Sequence, residues 1–236
     1  MKLFKDNTTG MMLISITDKK EYLLYFDGLP YIGNLDNVSE VDTNGSVPKF
    51  HRQHVAEEDF DINDDAEWHL KDVLYVPISG KTVKFRVEHI SDNKIYFVAV
   101  DTVDESKMVD MNRFLDDYLE SMPKTLVDRM TEIEHKVDGK IIRKSKLTLL
   151  SYANVAKNTE NRKLDGSDDI LFDGLLTEAE RCKNRGKKSD SYWLDTPSRD
   201  YSNSSATINF DGAVNANGWI TNIYAVVPCF ALERKR

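Results

Sequence analysis

The side chains through which a chain holds a metal or attacks a substrate are sparse here and badly spaced. His51 and His54 stand three apart in His51-Arg52-Gln53-His54. On a helix such a pair could share a metal ion, but the flanking sequence is not helical and offers no third ligand. Asp59, Asp61 and Asn63 imitate the first half of a calcium loop; the match then fails, because Asp64 fills the glycine position and Leu70 the closing glutamate position. There is no G-x-S-x-G turn to raise a nucleophilic serine. The five histidines (51, 54, 69, 89, 135) all precede the two cysteines, Cys182 and Cys229. Two cysteines make no disulfide framework and no zinc motif, and Cys229 sits in an apolar run that suits a small buried hydrophobe. We therefore expect no catalytic residues, no metal and no cofactor.

A second group of residues points to recognition. Tyr201, Asn203, Ser204, Asn209, Asn215, Asn217, Trp219, Asn222 and Tyr224 fall between apolar runs near the C-terminus. Aromatics give rigid contact area and small polar groups give adaptable hydrogen bonds, the composition of binding surfaces. The competing explanation is that Asn and Ser make turns. For each residue singly the turn explanation prevails; for the cluster the two explanations stand even, since exposed Trp and Tyr are unusual for turns alone.

The elements that would position this group are short. Trp193-Leu194 leads to Pro197. Ala206, Ile208 and Phe210 alternate with Thr207 and Asn209, the period of a half-buried strand. Asp211-Gly212 is a turn pair. Ile223 to Leu232 is nearly all apolar and reads as a buried strand interrupted by Pro228. Upstream, Val73–Ile78, Thr82–Ile90 and Ile95–Val100 read as three strands joined by Ser79-Gly80 and Ser91-Asp92-Asn93. Met111, Phe114, Leu115, Tyr118, Leu119 and Met122 form one helical stripe, with Asp110 as N-cap. Pro123 ends that helix and starts a second, to about Met130. Val137 to Lys140 is a turn, Lys146–Ser151 a strand, and Asp165–Asp169 a loop. Thr177 with Glu180 makes a capping box. Trp68 and Trp193 are expected in the core.

Residues 1–55 read as a β-rich arm, with Met11–Ile16 and Tyr22–Phe26 as a hairpin. Asp27–Pro30 and Asn44-Gly45 are turns. Residues 56–65 are an acidic linker, and residues 66–236 are the main domain.

The chain of 236 residues is 40% hydrophobic and 31% charged, enough for a packed core. Its net charge of −8 argues against a phosphate-binding groove, and so against nucleic acid. The short basic runs at 181–188 and 234–236 read as solvated surface. No apolar signal core opens the chain and no stretch approaches a membrane span.

The C-terminal segments resemble a domain of Gram-positive bacterial surface proteins and their phages. That family carries a WWLRSP-like segment, here Tyr192-Trp193-Leu194-Asp195-Thr196-Pro197. Its A-x-V-x-x-DG-like strand and turn resembles Ala206 to Gly212. Its GVRPA-like final strand resembles Tyr224 to Leu232, and its K-L-F-L-L-S strand resembles Lys146-Leu147-Thr148-Leu149-Leu150-Ser151. The resemblance extends over residues 66–236. Asp195 stands in place of an arginine, Ala225 of a glycine and Val227 of an arginine, so roles needing those arginines do not carry over.

The resemblance implies an α+β protein: a C-type-lectin-like domain, akin to the formylglycine-generating-enzyme group, with a helix pair and a twisted antiparallel sheet. It implies a binding module and not an enzyme. Without a signal peptide, the expected setting is a phage virion, made in the host cytoplasm: a tail, baseplate or head-surface protein. Its N-terminal module would attach to other virion proteins, and its C-terminal loops would meet a host cell-surface glycan or protein. A homo-oligomer is expected, with no membrane insertion. A purely structural decoration or scaffold role, and an enzyme on this fold, stay open as alternatives.

Overall fold

The protein is described from a computed structural model, which covers residues 2–6, 12–15, 23–25, 38–41, 67–137, 139–156, 170–186, 188–198 and 201–234. The chain forms two compact units, Met1–Phe50 and His51–Arg236. The expected turns at Asp27–Pro30 and Asn44-Gly45, the linker residues Asp59, Asp61 and Asn63, the pair His51 and His54, Asp138 and the loop 165–169 lie outside the described residues.

In the first unit, β1 (Lys2–Asp6), β2 (Met12–Ser15), β3 (Leu23–Tyr25) and β4 (Val38–Val41) form an antiparallel sheet of order β3-β2-β1-β4. The expected hairpin is β2 with β3, in which Leu13 faces Tyr25.

The second unit is built on two larger sheets. β5 (Val73–Ile78), β6 (Lys81–Ile90) and β7 (Lys94–Ala99) form a meander. Ser79 and Gly80 both adopt positive φ, at 49° and 73°, which matches the twist of a two-residue hairpin. β8 (Asp104–Lys107) lies in the second sheet. It is followed by α1 (Met111–Glu120) and α2 (Lys124–Arg129). The expected stripe on α1 faces inward: Met111, Leu115 and Met122 are buried, and Phe114, Tyr118 and Leu119 half-buried against the core. Asp110 precedes α1 but makes no side-chain capping bond.

β9 (Met130–Thr131), the hairpin of β10 (Ile133–Val137) and β11 (Lys140–Ser145), and β12 (Leu147–Leu149) follow. The short helices α3 (Tyr152–Val155) and α4 (Glu178–Arg181) lead to the hairpin of β13 (Lys183–Arg185) and β14 (Lys188–Asp190). Thr177 and Glu180 form the expected capping box. The chain closes with β15 (Tyr192–Pro197), β16 (Ser204–Ile208), β17 (Val214–Trp219), β18 (Ile223–Val226) and β19 (Pro228–Glu233).

One sheet runs β12-β19-β7-β6-β5, with β9 also on β19; the other runs β17-β16-β15-β18-β8. All pairings are antiparallel except β15 with β18, where Tyr192 lies beside Ala225. The two sheets share one core. Phe97 stacks on Phe230 with ring centroids 5.1 Å apart, and Phe85 meets Phe230 edge-on at 5.0 Å. Trp193 is fully buried, while Trp68 is half-buried with its edge on Phe97.

This architecture corrects the expected fold. The second unit is β-rich, built from several antiparallel sheets. The expected helix pair is two short helices of 10 and 6 residues, too small a part to define the architecture as an α+β lectin-like domain. The reason is visible in two strands. Ala206–Phe210 reads as a strand with one wet face, yet β16 is Ser204–Ile208 with all five residues buried, Thr207 included, and Phe210 is exposed beyond its end. The Ile223–Leu232 run was expected to be one interrupted strand. It is two strands in different sheets, and the chain changes sheet at Val227-Pro228. Pro228 has no N–H to continue the first ladder.

Candidate functional site

The register of β16 on β17 brings the best of the expected residues together. Ser204 pairs with Trp219, so the segment before β16 and the segment after β17 meet at one end of the five-stranded sheet. Ser204 N–H donates to Tyr201 O at 3.1 Å, and Ile220 N–H donates to Asn203 O at 3.0 Å. Asn222 N–H donates to Trp219 O at 2.8 Å and closes the turn into β18. Val109, just before α1, joins this end by donating from its N–H to Ile220 O at 3.3 Å. Val109, Tyr201, Trp219 and Ile223 are each more than half exposed. Asn203 and Asn222 are exposed between them. Large apolar groups clustered in water mark interaction sites, whereas single ones carry no such meaning.

Not all nine expected residues take part. Ser204 is buried at the start of β16. Tyr224 is half-buried, its ring edge-on to Trp193 with centroids 4.7 Å apart at 88°, so most of its surface belongs to the core. Asn209 and Asn215 lie toward the other end of the β16–β17 hairpin. Asn209 N–H donates to Ala213 O there, and Asn215 faces Thr207. At ~3.3 Å per residue, Asn209 is roughly 16 Å along the strand from Ser204. Asn217 lies on β17, and its side chain is outside the described residues. The sequence does not mark Val109 and Ile223 as exposed, since an apolar residue next to a strand or helix gives no sign that it faces water.

The electrostatic setting is unusual. From Tyr201 to Leu232 the only charged side chain is Asp211, in a chain that is 31% charged. Asp211 belongs to the turn at the far end of the hairpin. The described charges adjoining the aromatic end along the backbone are Lys107, paired opposite Ile223, and Asp110, next to Val109. Their signs cancel.

A second polar region lies inside the fold. The side chain of Asp195 on β15 accepts from Arg143 Nε of β11 at 2.5 Å and from Thr148 Oγ1 at 3.3 Å. His135 Nε2 lies 3.0 Å from both Leu149 O and Thr148 Oγ1. A carbonyl only accepts, so Nε2 carries the proton. His135 and Cys229 both line a cavity of about 180 Å³, together with Tyr96, Asn154 and Phe172. They do not form a nucleophile–base pair. Burial pushes the Cys229 thiol well above its ordinary range, leaving it protonated, and His135 Nε2–H is engaged with the backbone. Glu134 at the rim is held below the usual carboxylate range by hydrogen bonds from Lys144 and Lys136.

A partly buried ionic cluster centres on Glu88 of β6. Glu88 is fully buried, 2.8 Å from Lys71 Nζ and 2.6 Å from Arg86 Nε. Lys183 Nζ is also buried, donating to Ala99 O at 2.8 Å. Burial pushes its pKa down to about 8. Unpaired buried charge is costly, and this cluster offsets that cost with opposite charges and backbone acceptors. Among the described residues, no group of three or more His, Cys, Asp and Glu could hold a metal ion.

No curated protein and no solved structure matches this chain. A family model does, over residues 105–234. That span opens in β8 and runs through β19, so the β5–β7 meander that flanks β19 lies upstream of it. With more than half of its length matched, the chain belongs to the family described as a domain of unknown function, DUF6273.

Proposed function

We propose that this chain is a binding protein of a phage virion, in the tail, the baseplate or on the head surface. The second unit presents its aromatic end to the host cell surface, and the N-terminal unit attaches to other virion proteins. The observation that carries the binding role is the grouping of Tyr201, Trp219, Ile223 and Val109, all exposed at one end of one sheet with Asn203 and Asn222 between them. A side chain of that size held in water by a structured turn has nothing to gain from folding alone. The phage setting rests on the resemblance of the C-terminal segments.

The test is binding of the purified full chain to intact Gram-positive cells, wild type beside Trp219→Ala. Loss of binding by a folded Trp219→Ala protein supports the role and locates its site. Absence of binding by the wild type moves the role to a structural decoration of the virion, with the same aromatic end seated on a neighbouring virion protein.

A further inference from the structure

The charge distribution narrows what the aromatic end can hold. A polymer carrying phosphates or carboxylates is held by clustered Lys and Arg, whose contacts dominate the affinity. The segments that form this end, Tyr201-Ser202-Asn203 and Trp219 to Ile223, carry no charge at all. Lys107 beside them is offset by Asp110, and the chain as a whole carries −8. Among the described residues this end offers an anionic polymer no cation cluster, the neighbouring Arg199 is followed at once by Asp200 in the sequence, and the net charge of the chain sets up a repulsive long-range field.

The groups that are present suit a different ligand. The exposed faces of Trp219 and Tyr201 offer flat apolar area, which the C–H face of a pyranose ring can cover. The amides of Asn203 and Asn222 have no side-chain partner among the described residues. Each amide both donates and accepts, as a sugar hydroxyl does. A carboxylate or phosphate only accepts, and leaves the amide oxygens without a role. Resting on the reading of this end as a host-binding surface, we infer that its ligand is a neutral carbohydrate of the cell surface, stacked on Trp219 and Tyr201 and hydrogen-bonded by Asn203 and Asn222.

The experiment measures binding of the full chain to intact cells at low and at high salt, with poly(glycerol phosphate) as competitor and after periodate oxidation of the cells. Trp219→Ala and Trp219→Phe are run alongside the wild type. A neutral site predicts binding that changes less than about twofold with salt, because no ion pairs are screened. It predicts no competition by poly(glycerol phosphate), loss of binding after periodate cleaves the vicinal diols, abolition in Trp219→Ala and retention within a few-fold in Trp219→Phe. Trp219-dependent binding that falls about tenfold or more with salt, or that poly(glycerol phosphate) competes away, overturns the neutral ligand while leaving the binding role intact. Trp219-dependent binding that survives periodate and is lost after protease treatment of the cells overturns it in favour of a protein receptor. Cell binding that is absent in the wild type, or indifferent to Trp219, removes the binding role and this inference together. A sedimentation coefficient that drops in Trp219→Ala overturns it as well, because the face then joins two copies of the chain.

Discussion

Arg143 on β11 and Asp195 on β15 form an ion pair with little access to water, Nε to Oδ2 at 2.5 Å. It ties the β10–β11 hairpin to the five-stranded sheet. Thr148 Oγ1 donates to the same carboxylate oxygen. Removing one partner strands the other, which costs more than the pair itself contributes. Arg143→Met should destabilise the protein by about 3 kcal/mol, read from urea unfolding. The Arg143→Met, Asp195→Leu double variant should recover much of that loss. A double variant as unstable as the single one would mean that packing, and not charge, holds the hairpin.

Gly212 follows Asp211 in the β16–β17 turn with φ of +86°. A Cβ there would overlap the backbone carbonyl of Glu178. Its own carbonyl accepts from Arg181 Nε at 2.8 Å, and Arg181 Nη1 also reaches the carbonyls of Val155, Leu175 and Leu176. Both the left-handed backbone and the close approach require glycine. Gly212→Ala should cost on the order of 3 kcal/mol or more, seen as a lower Tm and a smaller folded fraction.

Trp219 and Tyr224 should separate in their effects, although both belong to the expected binding group. Trp219→Ala removes exposed surface and should change stability by less than about 0.5 kcal/mol while abolishing binding. Tyr224→Ala removes the edge-on partner of Trp193 and should destabilise by about 1–3 kcal/mol. Parallel unfolding curves of the two variants check this, and equal losses would contradict it.

Lys183 should leave a mark on the pH dependence of stability. Its folded pKa is about 8, below the ordinary 10.5, because burial disfavours the charged form. Below pH 8 both states bind the proton, and the full cost of the buried charge is present. Between about 8 and 10.5 the unfolded chain holds more protons than the folded one, so this group adds stability as pH rises. The gain is roughly 3 kcal/mol in all. Cys229, Tyr192 and Tyr118 act the other way in alkali, since burial raises their pKa values in the folded state. The difference in urea midpoint between wild type and Lys183→Met isolates the lysine. It should grow in favour of the wild type from pH 8 to pH 10, and a flat difference would rule the effect out.

Short-range patterns were readable in this sequence and long-range ones were not. The β5–β7 meander and the first turn of each later element follow from alternation, Gly-containing turns and the α1 stripe, all decided within a dozen residues. The burial of Ser205 and Thr207 was hidden, because their polar side chains imply a wet face. Ser205 Oγ in fact donates inward to Leu194 O and Thr196 O. The meeting of Arg143 with Asp195 depends on two elements far apart in the chain, and nothing local announces it. At the candidate site, Tyr201, Asn203, Trp219 and Asn222 were legible because their types suit exposure. Tyr224 was not separable from them, because its packing depends on where Trp193 lies.

The sheet change at Val227-Pro228 also sets an order of events during synthesis. β19 lies inside its sheet, with β7 on one side and β12 and β9 on the other. Until residues 228–233 have left the ribosome, the inner edges of β7 and β12 have no partner and Phe97 lacks the ring it stacks on. A nascent chain of this protein can assemble its early hairpin meander, yet the joint core must wait for β19. Products released before that strand is made would present bare strand edges to one another, the surfaces through which incomplete β-proteins aggregate.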